Sequence, residues 1–177
     1  MKKNHINLKL VKFSKKFITQ EYVSWLNNKK INKFSGQRYF NHTYKSCLNF
    51  YYNNIKNKNL FFASVDIKKK KHIGNIIGIL DKQNSICEIR IFIGYPNQGY
   101  GLRTFELLFN YLKRKGIRKI LSGTIKNNTA MINIYKIVGM KLEWVLRKHY
   151  YYNNKYVDGM VYSYFNKKFI PPRLRKA

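Results

Sequence analysis

Apolar residues change their spacing several times along this chain, and each change marks an element. Between residues 6 and 13 they alternate with polar ones (Ile6, Leu8, Leu10, with Val11 and Phe13 shifted), which predicts a first strand. Thr19 stands as an N-cap before Tyr22, Trp25 and Leu26, spaced i, i+3, i+4 along one helical face, and Asn27-Asn28-Lys29-Lys30 ends that helix. A looser stretch carries Phe34, Gln37, Arg38, Tyr39 and His42, and helical spacing returns from about 43 to 57 through Cys47, Leu48, Tyr51 and Ile55. Three strand-like runs follow, 59–65, 73–80 and 86–95, joined by polar turns short enough to favour an antiparallel meander. Leu102, Phe105, Leu108, Phe109 and Leu112 form the stripe of an amphipathic helix that stops at Gly116. After it come a short strand at 119–124 and a helix at 127–138, with Met131, Ile134, Tyr135 and Val138 on one face and Gly139 past its end. Two long aromatic strands, 141–152 and 155–165, close the pattern around an Asn153-Asn154 turn, and the tail Ile170-Pro171-Pro172-Arg173 reads as extended and exposed.

That order is α+β with a strand–helix–strand crossover in its middle. No internal repeat or linker interrupts it, so the 177 residues read as a single domain, with a core at about 6–165 and a basic tail at 166–177.

Charge alters the picture less than its size suggests. Lys and Arg number 36 against 7 Asp and Glu, a formal net charge of +29, which invites a nucleic-acid or anionic-membrane partner. Yet Lys, Asn, Ile, Tyr and Phe are abundant together, as A/T-rich codons produce, and the basic residues are scattered. The densest run, Lys68-Lys69-Lys70-Lys71, falls between two predicted strands and reads as a solvated hairpin. The scarcity of acid narrows the chemistry: only Glu21, Asp66, Asp81, Glu88, Glu106, Glu143 and Asp158 can supply a carboxylate. Cys47 and Cys87 have no paired spacing and read as buried thiols of a reducing compartment, and no metal site is expected. The basic N-terminus is followed by no apolar run, so neither a signal peptide nor a membrane span is expected, and a cytoplasmic location follows.

The chemistry is densest at Gly94-Tyr95-Pro96-Asn97-Gln98-Gly99-Tyr100-Gly101-Leu102-Arg103-Thr104, between the apolar strand at 86–93 and the amphipathic helix. A glycine-spaced turn there leaves backbone N–H groups unpaired at the positive end of the helix dipole, a site for a phosphate group. About thirty residues on, Asn128-Thr129-Ala130-Met131-Ile132-Asn133-Ile134-Tyr135-Lys136-Ile137-Val138-Gly139-Met140 places Asn, Tyr and Gly at fixed offsets along the later helix.

Together these two segments resemble the signatures of the GNAT acetyltransferases. Within them, the chain is similar to the branch that acetylates ribosomal-protein N-termini and to the sugar-nucleotide N-acetyltransferases of the pseudaminic and legionaminic acid type. Pro96 stands where many relatives carry Gln or Arg, and Met131 and Met140 replace the usual small and aromatic residues. The resemblance implies a mixed, mostly antiparallel twisted sheet with helices on both faces and acetyl-CoA as co-substrate. Gln98, Gly99, Tyr100, Gly101, Leu102 and Arg103 would receive the pyrophosphate, and Ile91 and Asn128 would line the pantetheine arm, where two parallel strands splay apart. Tyr135 would protonate the departing thiolate, and Glu88, or secondarily His42, would accept the proton of the attacking amine. Trp25, Asn27, Arg38 and His42 would meet the acceptor, with Trp25 stacking on a ring and Arg38 meeting a phosphate. The acceptor implied is a small-molecule primary amine, an amino sugar of a nucleotide-sugar. The alternatives are a protein N-terminus, another small amine and, in a different class, a non-catalytic nucleic-acid or ribosome-binding protein that keeps the fold.

Overall fold

The computed structural model describes residues 6–169. Seven strands form one sheet in the order β1-β2-β3-β4-β5-β7-β6: β1 Leu8–Lys12, β2 Leu60–Asp66, β3 Lys71–Asp81, β4 Ile86–Ile93, β5 Lys119–Ile125, β6 Lys141–Tyr152 and β7 Lys155–Phe165. Every neighbouring pair is antiparallel except β4 and β5, which run parallel on either side of a helical crossover. The helices are α1 Gln20–Asn27, α2 Lys29–Asn32, α3 Tyr44–Lys56, α4 Tyr100–Arg114 and α5 Thr129–Ile137. The mixed sheet and its flanking helices match the expected α+β class, and β1 proves shorter than its alternation implied.

Local chemistry accounts for most of the boundaries. Thr19 Oγ1 accepts the Tyr22 N–H at 3.1 Å to open α1, and Thr43 and Ser46 exchange hydrogen bonds in a capping box that opens α3. Asn28 is more than the end of α1: its side chain accepts from Lys30 N–H and starts the short α2. Asn153 and Asn154 take φ of 48° and 58°, the left-handed pair that a two-residue hairpin turn requires between β6 and β7. The tail at 170–173 lies outside the described residues.

Alternation along β3 sends Ile76 to one face of the sheet and Ile77 to the other. On the first face, Phe105, Leu108, Phe109 and Leu112 of α4 and Tyr135 of α5 pack on Ile76, Cys87, Ile89 and Ile120. Each such large apolar side chain contributes roughly 1.5–3 kcal/mol on burial. On the second face, Tyr22, Trp25 and Leu26 of α1 and Cys47 of α3 pack on Phe61, Ala63 and Ile77, with Phe13 stacked on Phe61 at 4.1 Å. Both cysteines are buried and free. Burial pushes the Cys87 thiol up to about 12 and raises that of Cys47, so both remain protonated near neutrality.

His72, at the start of β3, lies within this second core among Phe13, Phe17, Tyr22 and Trp25. Its Nε2 lies 2.9 Å from the Gly74 carbonyl, which requires the proton on that nitrogen and leaves Nδ1 buried without a partner. Burial depresses its pKa to about 4, opposed by the Gly74 carbonyl and more weakly by Glu21. The native state therefore holds a neutral ring while the unfolded chain protonates near 6.5. The stabilisation is fully present above pH 6.5 and is lost as pH falls toward about 4, by an amount on the order of 3 kcal/mol. Denaturant midpoints should fall between pH 7 and pH 5 in the native protein and respond much less in His72→Phe; equal slopes in both would show that the ring does not control this loss.

Candidate active site

Only the first part of the parallel pair is closed. Ile86, Cys87 and Glu88 of β4 pair with Lys119, Ile120 and Leu121 of β5, and pairing then stops although both strands continue. At that point Ser122 turns its hydroxyl onto the Ile89 carbonyl at 2.7 Å, a side chain replacing the next rung of the ladder. Residues 90–93 are thus left without a strand partner on the β5 side. The opening is a groove of about 1140 Å³, lined along its length by β4, by Ser122 to Ile125, and by Asn128 and Tyr135 of the α5 region.

At one end the groove meets the turn between β4 and α4. Gly99 is the N-cap of α4 with φ of 75°, a left-handed conformation that a side chain would strain, and Asn97 also has a positive φ of 63°. Thr19, Asn28, Thr43 and Asn128 each cap their helices with a side chain; among the described α-helices, α4 alone starts without one. The N–H groups of Tyr100, Gly101 and Leu102 open this 15-residue helix and have no intrahelical acceptor, so partial positive charge faces whatever occupies the turn. Gly101 lines the groove beside Ile134 of α5, where a Cβ would make ordinary contact with Ile134 Cδ1 at 3.4 Å.

Midway along, Tyr135 is 1% exposed and still borders the groove. Its hydroxyl donates to the Gly123 carbonyl at 3.0 Å and lies 3.0 Å from Ser122 Oγ. Burial raises its pKa well above that of a free phenol, so it keeps its proton at neutral pH. Asn128 Oδ1 caps α5 by accepting from Met131 N–H at 3.3 Å, and its amide donates to Thr124 Oγ1 at 3.0 Å, which sets the side chain at the groove wall.

The far end is built from the stretch between α2 and α3 together with the β6–β7 hairpin. Arg38 donates to the carbonyls of Ser35 at 2.7 Å and Tyr151 at 3.1 Å, tying the two elements together. Among the described residues no carboxylate pairs with its guanidinium. His42 is held by its backbone, which exchanges two 2.8 Å bonds with the Asn27 side chain, and its Nε2 lies 3.1 Å from the Gln37 carbonyl. Glu88 is the one carboxylate on the groove wall among the described residues, and Arg90 holds both of its oxygens, at 2.8 and 3.0 Å. No cluster of three or more His, Cys, Asp or Glu among the described residues is placed to hold a metal ion, and no helix there is long and apolar enough to cross a membrane.

A family profile described as an acetyltransferase (GNAT) domain matches residues 19–161. This chain belongs to the GNAT acetyltransferase family. Among solved structures, it is similar to the spermidine N-acetyltransferase of Vibrio cholerae in complex with CoA and spermine, at 18% identity and TM-score 0.80, with 91% of this chain and 96% of that one covered. It is also similar to the microcin C7 self-immunity acetyltransferase MccE in complex with acetyl-CoA and AMP, at 22% identity and TM-score 0.75 over 90% and 94% of the two chains. A third is RimL, a ribosomal L7/L12 alpha-N-protein acetyltransferase in complex with coenzyme A, at 15% identity and TM-score 0.77 over 89% and 93%. No curated protein matches the sequence. At these identities the likeness to solved structures shows the fold alone; it does not single out the sugar-nucleotide branch.

In this GNAT domain the two motif segments converge on one groove, which brings Gly101, Ile91, Glu88, Asn128, Tyr135, Arg38 and His42 to a common lining. Other expected site residues are placed differently. Trp25 does not reach the groove: it is 5% exposed and packs on Gly94, where a Cβ would fall 2.2 Å from its indole ring, so a core role replaces the expected ring stacking. Asn27 is exposed and off the groove wall, and its side chain holds the His42 backbone. The side chain of Tyr100 turns away to Asp66, leaving only its amide for the turn, and Arg103 pairs with Glu106 at 3.5 Å. Gln98 and Gly99 are exposed and Leu102 is half-buried, none of them on the groove wall. Sequence reading missed Ser122 and Tyr150, both on the wall. A serine inside a strand carries no motif, and its role comes from the register at which β4 and β5 part.

Proposed function

We propose that this enzyme is an acetyl-CoA-dependent N-acetyltransferase whose acceptor joins a primary amine to an anionic group, as in an amino sugar linked to a nucleotide. The observation that carries the coenzyme half is the uncapped start of α4 opening onto a groove between two separating strands. The residues fit the coenzyme there: Tyr100, Gly101 and Leu102 offer amides for a pyrophosphate, and the free edge at 90–93 offers backbone partners for an amide-bearing arm. Acetyl-CoA would supply an acetyl group activated as a thioester. Tyr135 then holds a proton, at its hydroxyl, for the sulfur that leaves. His42 and Glu88 are the groove's candidates to take the proton from the attacking amine. The Gln37 carbonyl favours a proton on His42 Nε2, which leaves Nδ1 as an acceptor, whereas Glu88 is already engaged by Arg90.

Charge supports the acceptor half. Lys30, Lys33 and Arg38 line the acceptor end, while the groove's carboxylate, Glu88, is spoken for. A polyamine would meet cations without counter-charge; a phosphate would meet them productively. Arg38→Gln should raise KM about tenfold or more for a phosphate-bearing acceptor and leave KM for acetyl-CoA unchanged, since charged hydrogen bonds contribute roughly 1.5–3 kcal/mol. The direct test is coenzyme A release across a panel of nucleotide-linked amino sugars, peptides with free N-termini and polyamines. Preference for polyamines would overturn the anionic acceptor, and no release or coenzyme binding from folded protein would overturn the whole reading.

A further inference from the structure

The lysine run expected to be a solvated hairpin is instead bonded to both ends of the turn that leads into α4. Tyr95 begins this turn just beyond β4, and Tyr100 ends it as the first residue of α4. On the Tyr100 side, Asp66 is 5% exposed; it accepts the Tyr100 hydroxyl at 3.1 Å and the Lys69 N–H at 3.0 Å. The Lys69 ammonium donates to the same hydroxyl at 2.9 Å. On the Tyr95 side, the Lys71 ammonium lies 4.3 Å from the centre of the Tyr95 ring and 3.3 Å from Glu21, to which the Tyr95 hydroxyl also donates. Between these anchors lie the two left-handed residues, Asn97 and Gly99. The hydrogen bond from the Lys69 backbone, followed by that from Tyr100, holds the Asp66 carboxyl below the usual carboxylate range, so it is an anion at neutral pH.

We propose that Asp66, Lys69 and Tyr100 are positioning residues for the coenzyme turn, an inference that rests on the acetyl-CoA reading above. Amides at a helix start stabilise an anion in proportion to how well they are aligned before it arrives. A turn left to find its shape on binding pays the ordering entropy at that moment, and affinity falls. The β2–β3 hairpin meets this cost during folding by tying the first residue of α4 to a buried carboxylate. The effect is confined to the diphosphate end, because none of these three side chains lines the groove.

Tyr100→Phe isolates the clamp. It keeps the ring against Leu8 and Ile73 and removes the hydroxyl alone. KM for acetyl-CoA and Kd for CoA should rise five- to tenfold, with kcat within twofold. Turnover with acetyl-pantetheine, which lacks the diphosphate, should not change. Unchanged CoA affinity would overturn the proposal, and so would equal losses with both donors, which mark a general distortion. Lys69→Met should weaken CoA two- to threefold, against no change in Lys68→Met, which removes the same charge from the exposed neighbour; equal effects in both would reduce the clamp to bulk electrostatics. Failure of the native protein to bind CoA would instead reject the coenzyme reading itself.

Discussion

Tyr135→Phe should lower kcat by about a hundredfold or more while KM for acetyl-CoA stays within twofold. The hydroxyl is the single group removed, and it is a buried proton donor on the groove wall between Gly123 and Ser122. Positioned general acids contribute about 10²–10⁴ in rate. The ring itself packs on Phe105 and Tyr162, contacts that phenylalanine retains, so the loss in stability should be about 1–2 kcal/mol for the hydrogen bonds. Because burial raises the phenol pKa, native activity should show no loss from ionisation of this group between pH 7 and 9. Stopped-flow or steady-state thiol release measures the rate, and a thermal melt measures the fold. Native turnover in the variant would remove Tyr135 from proton transfer and leave it as a core residue with a bonded hydroxyl.

The second large effect is on stability. Trp25→Ala should cost about 3–5 kcal/mol, the usual range for emptying a large aromatic from a packed core. In a chain of this length that lowers Tm by roughly 10 °C. The indole is edge-on to Tyr22 and Tyr95, tilted against His72 at 5.3 Å, and closes over Gly94, so its removal empties a space lined on several sides. Assayed below its melting point, the variant should keep its acceptor KM within about threefold. A variant of native Tm with a tenfold higher acceptor KM would return Trp25 to the acceptor site.

The contrast between these residues explains what was legible in the sequence. Tyr135 could be assigned to the groove only because its offset from Asn128 matches the GNAT signature; periodicity alone places it on a buried helical face. The cap at Thr19, the Asn153-Asn154 turn and the glycine turn before the amphipathic helix were legible from local sequence, since each acts within a few residues of itself; the Thr43–Ser46 capping box and the left-handed φ of Gly99 came from the structure. Trp25 lies on a helix of similarly clear period, yet the period says only that one face is buried, not whether a core or a ligand buries it. The lysine run reads as a solvated hairpin because it falls between two predicted strands. Lys69 finds Tyr100 31 residues away, and Lys71 meets Glu21 from an earlier helix.

The order of elements, the class of the fold, the glycine turn and the family signatures were settled by the chain alone, since they depend on periodicity and on backbone preferences of neighbouring residues. Tertiary structure decided where the parallel pair stops pairing, which tyrosine faces the groove and which faces Asp66, and that among the described residues no carboxylate pairs with Arg38 while Glu88 is taken by Arg90. These outcomes depend on strand register and on side chains far apart in sequence, and no local rule encodes them.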